Sequence, residues 1–334
     1  MTKRMAQVAL LAVALLVLSV APAGATNFFV PGTHATIQSA LNVAGSGDAV
    51  VVSAGTYSEN VVMKLGVQLI GAGPEFSTID GGGVYSAVSV PYGATHSTRI
   101  EGFTIQNGSN ETGGGIRIQS GSAPTVTNCL IRGNHASARG GGIYIDNQCS
   151  PVIEFCTIQD NHADEGGGIY VQTSTPVIRW NVICHNSALV LGGGVHIAFA
   201  QGATVEHNSI ALNSVEMDFG AGISFANCMA TVQYNIIALN SGSAGLWASG
   251  SALTNDCNIV WGNSEGDYFG VTPGENSLSV DPMFCDAENC DLSVSGSSPA
   301  LNADGCGLIG ALTAGCDFTA TENTTWGEIK SKYR

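Results

Sequence analysis

The chain has 334 residues, a formal net charge of −15 and only 11% charged residues. A protein this acidic repels nucleic acids and anionic membrane surfaces, so neither is expected as a partner. The 44 glycines, together with frequent valine and isoleucine, exclude a disordered acidic tail and favour a β-rich structure with many tight turns.

The first 25 residues predict a secretory signal peptide. Lys3 and Arg4 precede an apolar run over residues 8–20, and a small-residue cleavage site of the A-x-A kind follows at residues 21–25. The apolar run is short for a membrane span of about 20 residues, although an uncleaved N-terminal anchor is the alternative. Cleavage would leave a soluble protein outside the cytoplasm, either extracellular, on the cell surface or periplasmic.

The exported part carries all ten cysteines, so disulfide bonds are expected there. Sequence spacing favours two pairs near the C-terminus, Cys306 with Cys316 and Cys285 with Cys290.

Internal periodicity decides the expected architecture. A glycine followed by an aliphatic residue recurs about every 26 residues, and two further markers keep step with it. The glycine column is Gly115, Gly142, Gly168, Gly194, Gly222 and Gly245. One marker column is Asn134, Asn161, Asn186, Asn213, Asn240 and Asn263. The other is Cys129, Cys156, Asn181, Asn208, Asn235 and Asn258.

Each repeat contains three short runs that alternate apolar with polar residues, as half-buried strands do. One coil of this kind cannot bury its own apolar face, so successive coils must stack at the β spacing of about 4.8 Å. The sequence therefore predicts an all-β protein, a right-handed parallel β-helix of about nine coils in one domain over residues 26–316. The asparagines from Asn181 onward are expected to adopt left-handed turns and to form a hydrogen-bonded ladder. Cys129 and Cys156 are expected as buried thiols, with a disulfide as the alternative.

Both ends of the solenoid require caps. Residues 36–44 predict a short helix at the N-terminal end, because Ile37, Ala40 and Leu41 share one helical face. Residues 277–316 break the repeat and are expected to form the C-terminal cap. Residues 317–334 are expected to form a polar tail.

Several segments resemble known proteins. Residues 47–61, with Gly55-Thr56-Tyr57-Ser58-Glu59, look like the opening of pectin-lyase-like β-helix proteins, and pectin methylesterases have a similar start. Repeats such as residues 161–169 are similar to those of secreted bacterial β-helix repeat proteins and of polymorphic outer-membrane adhesins. The resemblance implies the fold, but the later catalytic motifs of pectin methylesterases, polygalacturonases and pectate lyases are absent. Because this fold hosts many activities, the resemblance chooses none of them.

Stacking turns repeat positions into surface columns. The central residue of each Gly-Ile-x-Ile strand gives the column Arg117, Tyr144, Tyr170, His196, Ser224 and Trp247. Aromatic rings at steps of about 5 Å predict an outward platform for sugar rings, and the alternative is a stack that only stabilises the sheet. A second column, Asn128, Phe155, Trp180, His207 and Tyr234, is interpreted as structural.

Two further clusters are candidate chemical sites. Two coils separate Glu154 from Glu206 by about 9–10 Å, near the upper limit for the acid pair of an inverting glycosidase, with Arg179 between them. A charge ladder is the alternative interpretation. Asp160, Asp164 and Glu165 lie beside His135 and His162 and are candidates for a cation site, with a solvated turn as the alternative. An acidic loop around Asp281, Asp286, Glu288 and Asp291 is a candidate calcium site, and calcium is the one cofactor that the sequence indicates.

The sequence thus predicts a secreted bacterial protein, monomeric, that binds extracellular polysaccharide or a cell-surface component, or serves as a structural or adhesive module. The absence of a recognisable catalytic set favours this function over an enzyme. The alternative is a polysaccharide lyase, glycoside hydrolase or epimerase that acts on an extracellular glycan.

Overall fold

The computed structural model describes residues 24–217 and 219–316. Nearly all of the expected signal peptide and the whole expected tail over residues 317–334 lie outside these ranges. The described chain is a solenoid of about nine turns in which almost every strand pairs in parallel with the strand one coil away. The predicted fold class is therefore confirmed, and no helix within the described ranges is long and apolar enough to cross a membrane.

Three long parallel sheets, here called A, B and C, run the length of the solenoid. The strands of sheet A are Asn27–Val30, Ala49–Val52, Gln68–Gly71, Arg99–Glu101, Thr125–Thr127, Val152–Glu154, Val177–Arg179, Gln201–Glu206, Met229–Gln233 and Ala252–Asp256. Those of sheet B are Gly55–Ser58, Ser77–Asp80, Thr104–Gln106, Leu130–Arg132, Thr157–Gln159, Val182–Cys184, Ser209–Ala211, Ile236–Ala238 and Ile259–Trp261. Those of sheet C are Val61–Val62, Val88–Val90, Ile116–Ile118, Ile143–Asp146, Ile169–Gln172, Val195–Ala198, Ile223–Ala226, Leu246–Ser249 and Tyr268–Phe269.

A fourth sheet, here called D, was not expected from the sequence, which indicated three strands in each coil. It has five strands, Ser109–Thr112, His135–Arg139, His162–Glu165, Ser187–Leu191 and Ser214–Val215. These segments lie between sheets B and C. They lack the alternation of apolar and polar residues that marks a strand facing the core, so their sequence pattern does not predict strands.

The core consists of like residues stacked on like residues along the axis. In sheet C, for example, Ile143 pairs with Ile169 and Ile169 with Val195, and all three are fully buried. Removing apolar surface from water contributes about 25 cal/mol per Å², so this continuous column is a main source of stability. Parallel stacking also satisfies the backbone groups of each inner coil by pairing them with both neighbouring coils.

Both marker columns of asparagine form buried ladders. In the A–B turn, the backbone N–H and the Nδ2 of Asn181 both donate to Oδ1 of Asn208, at 3.0 Å each, and Asn208 donates in the same way to Asn235. The ladder is confirmed, but the expected left-handed conformation belongs to the preceding residue, for example Trp180 at φ 56° and His207 at φ 52°. The asparagine side chain thus stabilises a turn in which the residue before it has the strained left-handed conformation.

The glycines that precede the sheet C strands from Ile116 to Leu246 mark places where the backbones of neighbouring coils lie in close contact. A Cβ atom on Gly168 would lie 2.5 Å from the carbonyl oxygen of Gly194 and 3.1 Å from the side chain of Asn186. Both neighbours belong to the next coil and are closely packed there, so a shift of either one would cost free energy.

We expect Gly168→Ala to lower the free energy of unfolding by about 1–3 kcal/mol, because the added methyl group overpacks this contact. Gly45→Ala is the matched control, since its Cβ would meet only the end of the Asp48 side chain at 3.5 Å. Denaturant unfolding of both variants measures the difference. Equal stability of Gly168→Ala and the wild type would show that the coils are less tightly packed here than the structure indicates.

The two terminal segments pack against different parts of the solenoid. The predicted N-terminal cap is confirmed as helix α1, Ile37–Val43, whose N-cap residue Thr36 accepts a hydrogen bond from the backbone N–H of Ser39. The C-terminal cap expected at the other end instead covers a side of the solenoid, because its antiparallel hairpin of Phe284–Asp286 and Asp291–Val294 packs on the outer face of sheet B near Val182 and Ala211.

Three disulfide bonds hold this C-terminal cap, and neither pair expected from spacing forms. The bonds are Cys184–Cys290, Cys257–Cys306 and Cys285–Cys316. Two of them join the cap to the solenoid, which only a chain that folds back over earlier coils allows. Cys129 and Cys156 are buried free thiols, as the favoured interpretation predicted.

Candidate functional site

The predicted surface column of sheet C is present in register. Arg117 pairs with Tyr144, Tyr144 with Tyr170, and Tyr170 with His196. The rings of Tyr144 and Tyr170 stack with centroids 5.6 Å apart, and those of Tyr170 and His196 lie 5.4 Å apart. After Ser224, the column continues through Trp247 to Phe269.

The central part of this column is not the open platform expected from the sequence. Tyr144, Tyr170 and His196 are only 4%, 2% and 2% exposed. The chain that leaves sheet D covers them: Gly166 lies against the Cα of Tyr170, and the guanidinium of Arg139 lies 5.2 Å from the centre of that ring. A sugar ring therefore cannot stack on the faces of these three side chains.

The buried rings have their polar atoms satisfied within the column. The Tyr144 hydroxyl donates to Asp146 and the Tyr170 hydroxyl to Gln172, while Nδ1 of His196 is hydrogen-bonded to Ser224. Burial, helped by the Asp146 carboxylate, raises the pKa of Tyr144 to about 12. Burial, with the nearby Arg139 charge, lowers the pKa of His196 to about 3. Burial also raises the pKa of Tyr170. All three groups are therefore neutral near pH 7, as expected of a structural stack.

The column opens at its C-terminal end. Phe269 stacks on Trp247 at 5.9 Å, and Phe219 meets Trp247 edge to face at 5.6 Å. Phe269 is 58% exposed and Phe219 is 40% exposed. These three rings line a cleft of about 470 Å³, here called the aromatic cleft, whose other lining residues are Ser243, Ala244 and Glu265.

Trp247 was the only member of this cleft that the sequence indicated. Phe269 follows it in the column, but its two-residue strand lacks the Gly-Ile-x-Ile pattern, so the periodicity did not reveal it. Phe219 and Glu265 lie outside the strands and carry no periodic signal. Arg117, at the other end of the column, is partly exposed and is not near the aromatic cleft.

The candidate catalytic residues stack as predicted, with Glu154 beside Arg179 and Arg179 beside Glu206. Nε and Nη2 of Arg179 both bind Oε2 of Glu154, at 3.1 and 2.9 Å. Oε2 of Glu154 is thus engaged by two charge-assisted hydrogen bonds within an ion pair. The arrangement therefore favours the charge-ladder interpretation.

The candidate cation ligands do not converge. Glu165 is paired with Arg139 at 3.0 Å, and Asp160 accepts a hydrogen bond from Gln159. His135 and His162 stack at 5.4 Å within sheet D, away from any third ligand. Within residues 24–217 and 219–316, no three His, Cys, Asp or Glu side chains, including Asp164 and the acidic loop of the cap, are grouped to hold a metal ion.

Comparison with known proteins agrees with the architecture. The family model for the right handed beta helix region matches residues 75–228. The chain is a right-handed parallel β-helix. No curated protein sequence matches it significantly.

Two solved structures are similar to this β-helix. The mannuronan C-5 epimerase AlgE6 A-module of Azotobacter vinelandii is 15% identical, over 74% of this chain and 95% of that one, with a TM-score of 0.33. The deglycosylated pectin methylesterase of Aspergillus niger is 14% identical, over 81% and 94%, with a TM-score of 0.29. Similarities at these scores carry no argument about activity.

Proposed function

We propose that this β-helix protein binds extracellular carbohydrate through the aromatic cleft. The observation that carries the proposal is the grouping of three partly exposed rings, Phe219, Trp247 and Phe269, with the carboxylate of Glu265 around one cleft. Ligand clefts of about 300–1,000 Å³ commonly combine such apolar walls with a few orienting polar groups. A sugar offers an apolar face to the rings and hydroxyl groups to the carboxylate.

The cysteines support an extracellular setting for this function. Three disulfide bonds hold the C-terminal cap, and such bonds persist in oxidising compartments rather than in the cytosol. The acidic surface, with a formal net charge of −15, favours neutral over anionic polysaccharides as ligands.

A glycan array followed by calorimetry with the strongest ligand tests the proposal. We expect Trp247→Ala and Phe269→Ala each to weaken binding at least about tenfold, because aromatic anchors at the centre of a site contribute about 2 kcal/mol or more. Tyr92→Ala is the matched control, since this ring is 78% exposed but does not line the cleft. An array without any bound glycan would exclude carbohydrate binding, and unchanged affinity in both cleft variants would exclude this site.

A further inference from the structure

A second cleft lies at the corner between sheets A and B, away from the aromatic cleft. It has a volume of about 450 Å³ and is here called the cap cleft. Its floor is the outer surface of sheet B at Thr157 and Gln159. One wall is the loop of residues 73–75, and the opposite wall is formed by Asn289 and Cys290 of the C-terminal cap.

The cap cleft adjoins a series of stacked aromatic rings. Phe155, Trp180, His207 and Tyr234 stack along the A–B corner, with successive centroids 6.4, 4.0 and 4.7 Å apart. One coil earlier, the same position is occupied by Asn128. Phe155 and Asn128 both line the cleft, so an apolar ring surface and an amide face the same space.

The remaining polar lining is made of groups suited to hydroxyl partners. Amides of Asn128, Gln159 and Asn289 both donate and accept hydrogen bonds, as sugar hydroxyls do, and Thr157 adds a hydroxyl. Glu75 supplies a carboxylate that can only accept when it is ionised. No Lys, Arg or His lines the cleft among the described residues, and the nearby Arg132 directs its Nε to Gln106 instead.

We propose that the cap cleft is a second binding site, which takes a neutral saccharide unit with its apolar face against Phe155 and its hydroxyls on the surrounding amides. An anionic sugar is disfavoured because Glu75 is the one charged group among the described residues of the lining. The site depends on the docked cap, because Cys290 is bonded to Cys184 of sheet B and Nε2 of His185 is hydrogen-bonded to the carbonyl of Glu288. It does not depend on the aromatic cleft, which lies on sheet C.

Binding to the cap cleft is measured in the full chain carrying Trp247→Ala and Phe269→Ala, so that the aromatic cleft makes no contribution. The probes are methyl glycosides of glucose, galactose and mannose, with glucuronate and galacturonate as charged counterparts. Saturation-transfer NMR and calorimetry report the affinity. We expect at least one methyl glycoside to bind, and to bind about tenfold or more weakly after Gln159→Leu, which replaces a lining amide with an apolar side chain.

Gln106→Leu is the matched control, because Gln106 occupies the same column of sheet B two coils earlier and does not line the cleft. Phe155→Asn is a second test, since asparagine already occupies this left-handed position one coil earlier at φ 51°. Absence of glycoside binding, equal affinity in the Gln159→Leu and Gln106→Leu variants, or equal binding of the uronates would overturn the proposal. Loss of binding by Gln159→Leu alone would uphold it even if the aromatic cleft proved inactive.

Discussion

Asn208→Leu is expected to lower the free energy of unfolding by about 4 kcal/mol, because it breaks the buried ladder in its middle. The backbone N–H and Nδ2 of Asn181 would both lose their acceptor, and each unsatisfied buried group costs about 1–3 kcal/mol. The carbonyls of Ile178 and Glu206 would also lose a donor. Leucine has the same branching and number of heavy atoms as asparagine, so the change leaves no cavity, and its bulkier methyl groups add overpacking to the loss of hydrogen bonds.

Thermal and denaturant unfolding measure this effect, and a fall in Tm on the order of 10 °C is expected. Asn302→Leu is the matched control, because it makes the same change at an exposed position of the cap. Should the two variants prove equally stable, the ladder would contribute little, and apolar stacking alone would hold the coils in register.

Replacing both Cys184 and Cys290 with serine is expected to destabilise the protein by about 2–4 kcal/mol. The bond joins residues separated by 106 positions, and a cross-link that closes so long a loop strongly restricts the unfolded chain. The double variant should also expose the apolar surface where Leu292 packs against Val182. Unfolding under non-reducing conditions, with a hydrophobic dye as a second measurement, reports both effects.

Cys149→Ser is the matched control for this disulfide. The Cys149 thiol accepts a hydrogen bond from the backbone N–H of Ser122, and the hydroxyl of Ser174 does the same for Cys149 one coil later. Serine therefore fits this column, and a change below about 1 kcal/mol is expected because the hydrogen bond is retained. If the disulfide variant lost no more stability than this control, the cap would be held by packing alone.

The fold was predictable because the repeat itself dictates it. A parallel stack in register places residues about 26 positions apart side by side, so Tyr144 beside Tyr170 and Glu154 beside Arg179 followed from counting. The cap helix followed from the apolar face of Ile37, Ala40 and Leu41. These features depend on local or strictly periodic information.

The candidate site was only partly predictable because exposure depends on contacts that do not repeat. The column of Tyr144, Tyr170 and His196 was found, but its cover by sheet D was not, since segments such as His162–Glu165 lack a strand pattern. Phe219 lies opposite Trp247 because of the course of the irregular segment that contains it, and no repeat position predicts that course. The partners of Cys184 and Cys257 depend likewise on how the cap folds back, which no spacing reveals.

The asparagine ladders also give the molecule a direction. In both ladders each Oδ1 accepts from the preceding coil, and the backbone N–H and Nδ2 of each asparagine donate to the asparagine of the following coil, as Asn186 does to Asn213. The last members, Asn258 and Asn263, end the ladders by donating to other residues near the C-terminal end of the solenoid. A coil can therefore be added or lost during evolution without breaking either chain of amides only if a whole repeat, with both of its asparagines, is gained or removed. Insertion or deletion of only part of a repeat would leave a buried amide donor without an acceptor. The length of such a protein should therefore change in steps of complete coils.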